Sequence, residues 1–284
     1  MGSMDACNNS LSRASYESQD QSATNCGPLI WRRMSVGVRI QDAMPENFDD
    51  VVDLILNFYV PHNPLYKSSK ILEDAESLAT FKEMLYSYLK QGHSLVAVDE
   101  CTDRIVGALV LSLVKKSTFG LEFDRLEIGR GKALRTITSF VNDASRMVDI
   151  FERFQCDVYM RYMFTCVHGD YRTNGIGQNM LSASIDVAHY LDVPVIMGIA
   201  DQPLLQKVYL DLGMTIQYSS KVIELENDVD DLGSRENYYQ CLVMGCLVLP
   251  PSNPEPKSNS ADLNPAGKNK SKISRIKSKS KKDL

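Results

Sequence analysis

Residues 157–191 read DVYMRYMFTCVHGDYRTNGIGQNMLSASIDVAHYL, and the fold turns on how this stretch is read. From Asp157 to Val167 the chain is almost wholly β-branched, aromatic or sulfur-bearing: Val158, Tyr159, Met160, Tyr162, Met163, Phe164, Thr165, Cys166, Val167. Such a run suits a strand covered on both faces. His168-Gly169-Asp170-Tyr171 breaks it, and Arg172-Thr173-Asn174-Gly175-Ile176-Gly177 follows. From Gln178 to Leu191 the residues Met180, Leu181, Ile185, Ala188 and Leu191 recur near the 3.6 period of a helix. A helix start carries unpaired N–H groups and a partial positive charge, so it favours an anion. Gly175 and Gly177 let the backbone approach a phosphate with no Cβ between. The spacing Arg-x-x-Gly-x-Gly is neither the dinucleotide fingerprint nor a Walker loop. A bare match of this kind also occurs in ordinary strand-to-helix turns. Here the lead-in Val167-His168-x-Asp170-Tyr171 and the helix that follows favour the anion reading.

Outward from this unit, the folded domain is expected over residues 35–250, between a polar segment 1–34 and a basic tail 251–284 that both read as disordered. Trp31, the only tryptophan, belongs to the first segment and reads as loosely packed on the surface. Val36, Val38 and Ile40 alternate as a short first strand. A helix starts at Pro45 and is stopped by Pro61 and Pro64. A second spans Asp74 to Gln91, closed by Gly92. Ser94–Val98 and Ile105–Val114 pair as a hairpin, and Leu134–Phe154 is one helix with apolar residues at three and four. After the central unit come a strand at Pro194–Ala200, a helix at Pro203–Leu212, and strands at Met214–Leu225 and Tyr239–Leu249 flanking an acidic loop, Asn227–Asn237. This order predicts an α/β fold: a mixed sheet with helices on both faces.

Composition bounds the rest. Over 284 residues the chain is 44% apolar and 24% charged, ordinary for a globular protein. No apolar run reaches the ~20 residues of a membrane helix, and no signal core opens the chain. Seven cysteines with no CxxC pair read as reduced thiols rather than a zinc site. The net charge of −5 conceals a tail with nine Lys/Arg against three Asp/Glu, which leaves −11 on the remainder. The acidic body favours a cationic ligand, and only the tail offers a footing for nucleic acid or a nuclear address. No metal is expected, and the chain reads as a cytoplasmic monomer, with the nucleus as the alternative.

The glycine turn with its lead-in resembles the pyrophosphate loop of the GNAT acetyltransferase superfamily. Phe58-Tyr59-x-x-x-Asn63-Pro64-Leu65, and the extra helix ending Ile150-Phe151-Glu152-Arg153-Phe154 ahead of the central strand, are similar to the insect arylalkylamine and dopamine N-acetyltransferases. The resemblance covers about Val38 to Leu249. It implies the GNAT fold, with a mostly antiparallel central sheet, and acetyl-CoA as co-substrate for a small amine. It implies that the amides of Arg172, Thr173, Asn174, Gly175, Ile176, Gly177 and Gln178 hold the pyrophosphate. The strand backbone at Cys166 and Val167 would hold the pantetheine arm and polarise the thioester carbonyl. Phe58, Tyr59, Asn63 and Tyr66 would line the amine pocket, although each aromatic could equally be core.

Two proton transfers remain. Lys207-Val208-Tyr209-Leu210-Asp211-Leu212-Gly213 resembles the segment whose tyrosine protonates the departing thiolate in many GNAT enzymes, which makes Tyr209 the candidate acid. The insect dopamine enzymes carry a glutamate base before the proline, and here that residue is Asn63, whose amide takes no proton at neutral pH. His62 and Asp201 are the candidate replacements. The serines of the insect enzymes are absent from Asp201-Gln202-Pro203-Leu204-Leu205. Two other readings therefore stand beside a small-amine acetyltransferase: a CoA-binding protein that has lost catalysis, and a protein N-acetyltransferase.

Overall fold

The computed structural model describes residues 27–120, 130–221 and 241–250. The expectations for residues 1–26, the acidic loop and the basic tail lie outside them. Among the described residues eight strands form one sheet, in the order β1 (Ile30–Met34), β2 (Val38–Asp42), β3 (Leu95–Asp99), β4 (Ile105–Lys115), β5 (Val158–Val167), β6 (Val195–Ala200), β8 (Cys241–Val248), β7 (Thr215–Lys221). Every neighbouring pair is antiparallel except β5 and β6. A parallel pair needs a crossover, and helix α6 (Ile176–Tyr190) supplies it.

Both faces of the sheet are covered, which is why β4 is buried along most of its length and reads as a continuous apolar run. On one face α6 and α7 (Pro203–Asp211) pack Ile176, Met180, Leu181 and Tyr209 against Leu109, Leu111, Met160 and Tyr162. On the other, α1 (Phe48–Leu54), α2 (Pro64–Ser68), α3 (Ala75–Leu89) and α4 (Lys132–Arg146) pack against Val96, Val98, Val110 and Phe164. Burying a side chain such as Phe81 or Leu85 contributes about 1.5–3 kcal/mol.

Four local expectations are corrected. The folded body begins upstream of residue 35, because β1 pairs with β2 and Asp42 fastens it. Trp31 Nε1 donates to Asp42 Oδ1 at 2.7 Å, and Leu29 N donates to Asp42 Oδ2 at 3.1 Å. Pro64 opens a helix instead of ending one: Asn63 caps α2, and proline fits the first turn, where its missing N–H costs nothing. Before it, α1 widens into a π-helical turn over Ile55–Tyr59, with Val60 N donating to Ile55 O at 3.0 Å. The single helix over residues 134–154 is two, α4 and α5 (Ile150–Phe154), because Asp149 turns its carboxylate to the N–H of Glu152 and starts a new helix.

One irregularity of β5 governs the site. Val110 pairs with Phe164 and Leu111 with Tyr162, so Met163 is an extra residue on β5. A bulge of this kind shifts the alternation of faces. Tyr162 therefore packs on the α6–α7 side, and Phe164 and Cys166 on the α1–α4 side.

Candidate active site

The two parallel strands part company where the bulge begins. Pairing of β5 with β6 covers only Met160–Ile196, Arg161–Met197 and Tyr162–Gly198. Beyond it β5 runs on to Val167, still paired to β4 but without a β6 partner. The backbone of Cys166 and Val167 thus lies on an edge opened inside the sheet, and the splay is a feature that no residue pattern announces. The Cys166 side chain faces the core, its Sγ 3.6 Å from the carbonyl of Leu54, and burial pushes the thiol up to about 12. Such a thiol is no nucleophile at neutral pH.

The glycine turn continues from this edge. Thr173 and Gly175 take φ of 69° and 74°, the left-handed region that favours glycine, and Gly175 stands at the head of α6. Gly177 is different: a Cβ there would meet nothing closer than 3.7 Å, so no contact within the protein requires glycine. That is the pattern of a cradle kept open for a ligand backed by the free amides of a helix start. The Arg172 side chain turns away, donating from Nη2 to Phe58 O at 3.0 Å and from Nε to Val167 O at 3.3 Å. Its role in this structure is to tie the turn to the end of the first helix. Phe58 packs with its ring centroid 4.1 Å from that of His168, beside the turn rather than in the cavity next to Asp201. The Nδ1 of His168 accepts from Asp170 N at 3.3 Å and so steadies the turn. Asn179 Nδ2 donates to Gly175 O at 2.9 Å, and the Tyr171 hydroxyl reaches Asp99 at 2.5 Å.

Past the end of β6 stands Asp201. Asn63, fully buried, donates from Nδ2 to Asp201 Oδ2 at 2.6 Å and to the Tyr59 hydroxyl at 3.0 Å. Its Oδ1 accepts from Leu65 N and Tyr66 N, at 3.0 and 3.3 Å. The amide is therefore saturated as a cap and as a donor to the carboxylate. Burial raises the Asp201 carboxyl above the usual carboxylate range, and the Asn63 hydrogen bond opposes that shift. Burial first, and the Asp201 charge after it, hold the phenols of Tyr59 and Tyr66 above their ordinary value. Tyr209, 3% exposed, is also held well above the ordinary phenol range: burial leads, then Tyr162, then Asp201. Its ring end lies against Gly198, where an added Cβ would overlap the hydroxyl at 2.5 Å, at the last residue paired with β5 before the splay. Asp201, Tyr209, Tyr59, Tyr66 and Asn63 are thus brought together. His62 is exposed on the turn before Asn63 and does not line the cavity.

That cavity, about 70 Å³, lies between α2, α3, α4 and the two strands, with Asp201, Tyr59 and Tyr66 on its wall. Its other polar lining residues are Tyr88, Thr138, Asn142, Arg161 and Tyr162, none of which a motif marks. Arg161 is 6% exposed and Asn142 2%. Arg161 Nη2 donates to Ser145 Oγ at 3.0 Å, and among the described residues it meets no carboxylate. Asn142 Nδ2 is buried with no hydrogen-bond partner among the described residues. Leaving a buried donor unmade costs about 1–3 kcal/mol. Arg161 was visible as the one charge in an apolar run, and Thr138, Asn142 and Ser145 as polar residues at helical spacing on a buried face. Among the described residues no cluster suits a metal ion, and no helix is long and apolar enough to cross a membrane.

The mostly antiparallel sheet with helices on both faces has the GNAT fold. No protein-family model and no curated sequence matches the chain. Solved structures do match in fold. The Aedes aegypti protein that carries the name arylalkylamine N-acetyltransferase 7 superposes with a TM-score of 0.67 at 20% identity, over 80% of this chain and 98% of that one. Aedes aegypti arylalkylamine N-acetyltransferase 2 gives 0.65 at 16%, over 74% and 98%. A Drosophila melanogaster polyamine N-acetyltransferase that forms N-acetylagmatine gives 0.62 at 15%, over 75% and 100%.

Proposed function

We propose that the protein is an N-acetyltransferase that moves an acetyl group from acetyl-CoA to a small amine by direct attack. The observation that carries this reading is the junction at Tyr162–Gly198: an opened strand edge leads to the glycine turn, and Tyr209 and Asp201 stand beside the opening. The solved structures of like fold are named for reactions of this class.

Each need of the reaction has a candidate group in this chain. Amides from Thr173 to Gln178, backed by the positive end of α6, hold the pyrophosphate. The free edge of β5 at Cys166 and Val167 holds the pantetheine arm and donates to the carbonyl oxygen as it gains charge. Asp201 takes the proton that the ammonium must lose, and its raised basicity suits that task better than an ordinary carboxylate. The amine nitrogen then forms the new bond to the carbonyl carbon while the carbon–sulfur bond breaks. Tyr209 gives its proton to the sulfur that leaves, and its phenol is fully protonated at neutral pH. Acid and base are regenerated when Tyr209 recovers a proton and Asp201 releases one to water. Asn63 works by orienting Asp201, as a donor where the insect dopamine enzymes carry a base.

The reading of a CoA-binding protein without catalysis is favoured by one observation, the complete engagement of Asn63 as a structural cap. A free-CoA release assay over a panel of amines separates the two. Amine-dependent release is expected. Tight acetyl-CoA binding with no release from any amine would leave the non-catalytic reading.

A further inference from the structure

Arg161 and Asn142 form the part of the cavity that amine acetylation does not use. A guanidinium in so closed a place is normally paired, because an unpaired buried charge is strongly unfavourable. Among the described residues its hydrogen-bond partner is a single hydroxyl, Ser145 Oγ, which itself donates to Val141 O at 2.7 Å. Asn142, one turn from Thr138 on α4, leaves its Nδ2 unmatched on the same cavity wall.

The wall therefore presents two sets of N–H donors, Arg161 and Asn142, and Asp201 stands elsewhere on the same cavity. An under-used guanidinium with an unmatched amide at one place, and a carboxylate at another, describe a site for a molecule with both an acceptor group and an ammonium. A planar guanidinium matches a carboxylate in two parallel hydrogen bonds, and the Asn142 amide adds a third donor. The volume sets the size: about 10–15 Å³ suffices for one water, so about 70 Å³ takes a carboxylate and a short chain but not a large ring system.

We propose that Arg161 and Asn142 bind a carboxylate on the acceptor, so that the preferred acceptor amine is an amino acid or another short zwitterion. This rests on the transferase reading for its chemistry, though not for its binding. The ammonium end then lies toward Asp201, which serves as its counter-ion before taking its proton. Arg161 sits on β5 one residue before the strands part, so a carboxylate held there is fixed relative to the splay.

The test uses matched probes that differ only by the carboxylate: glycine with methylamine, β-alanine with ethylamine, 4-aminobutyrate with propylamine, and tyrosine with tyramine. Free-CoA release and calorimetric binding to the CoA-loaded full chain are measured in parallel. The carboxylated member of the best-used pair is expected to exceed its partner at least tenfold in kcat/KM or in affinity. Asn142→Leu should cut that ratio at least threefold while the melting temperature holds or rises, since it removes an unmatched donor. Arg161→Met should cut the ratio further, and if it fails to fold the Asn142 variant still decides. A purely structural role for Asn142 would move the melting temperature and leave the ratio alone, which overturns the proposal. Equal use of both members of every pair overturns it too, while leaving the transferase reading intact. Tenfold preferred binding of a carboxylated probe with no CoA release from any amine supports the carboxylate site and overturns the transferase reading instead.

Discussion

The turn between β5 and α6 presents backbone amides from consecutive residues, whereas the cavity beside Asp201 is walled by side chains from α2, α3, α4 and both strands. The turn takes its shape from local geometry, with Thr173 and Gly175 at left-handed φ, and Arg172 adds one distant brace, to Phe58 O 114 residues away. The cavity is held by partners distant in sequence, such as Asn63 and Asp201, 138 residues apart. A site made of backbone tolerates changes in most of its side chains. A site made of convergent side chains loses its function when one of them moves. On the proposed function, binding of the cofactor moiety and choice of the acceptor can therefore change independently.

The largest expected effect is at the splay between the two regions, where Tyr209 lies against Gly198. Tyr209→Phe removes the candidate acid and should lower kcat by about 10²–10⁴ with little change in acetyl-CoA affinity, read by free-CoA release and calorimetry. Gly198→Ala sharpens the same point without removing the hydroxyl. Its Cβ would collide with the Tyr209 ring, so kcat should fall alongside a stability loss of about 1–3 kcal/mol, measured by denaturant unfolding. On the turn side, Gly175→Val forces a β-branched residue to φ 74°. It should cost about 1–2 kcal/mol of stability and raise the acetyl-CoA Kd, while kcat at saturation changes far less. A Gly175 variant with normal affinity and a collapsed kcat would break the division between the two regions. The smallest effect is remote from both: Trp31→Phe gives up the bond to Asp42 and should cost about 0.5–1.5 kcal/mol, with activity unchanged.

The same contrast explains what could be read from the sequence. The turn was legible because glycine spacing and the onset of a helical period are local signals. The strands and most helices were legible for the same reason, since their apolar periods follow from covered faces. The splay was not, because it depends on which backbone groups of β5 lack a partner and on the extra residue Met163. Asn63 looked like a lost base, and only the approach of Asp201 reveals it as a donor. His62, its neighbour, points out to solvent because the capping geometry turns Asn63 inward. Arg161 stood in plain sight within its apolar run, but its cavity partners lie on α4, and no spacing links a strand residue to a helix that precedes it. Strand β1 was missed because its burial is partial and its anchor is a single aspartate on the next strand.

The most direct test is the pH dependence of amine-dependent CoA release, for the wild type and Asp201→Asn. Burial places the Asp201 carboxyl above the usual 3.8, so the ionised, proton-accepting form appears as pH rises through that raised value. Because the folded-state value is raised, ionisation of Asp201 disfavours the fold, and this cost grows as pH rises through the same window. The variant keeps an acceptor for Asn63 and carries no charge. It should therefore be at least as stable as the wild type at neutral pH, a trade of stability for function. The wild-type rate should climb through a limb above 3.8, and the variant should lack the limb and turn over about 10²–10⁴ times more slowly at neutral pH. A folded Asp201→Asn protein with the wild-type limb, and a rate within about threefold of wild type, would contradict it.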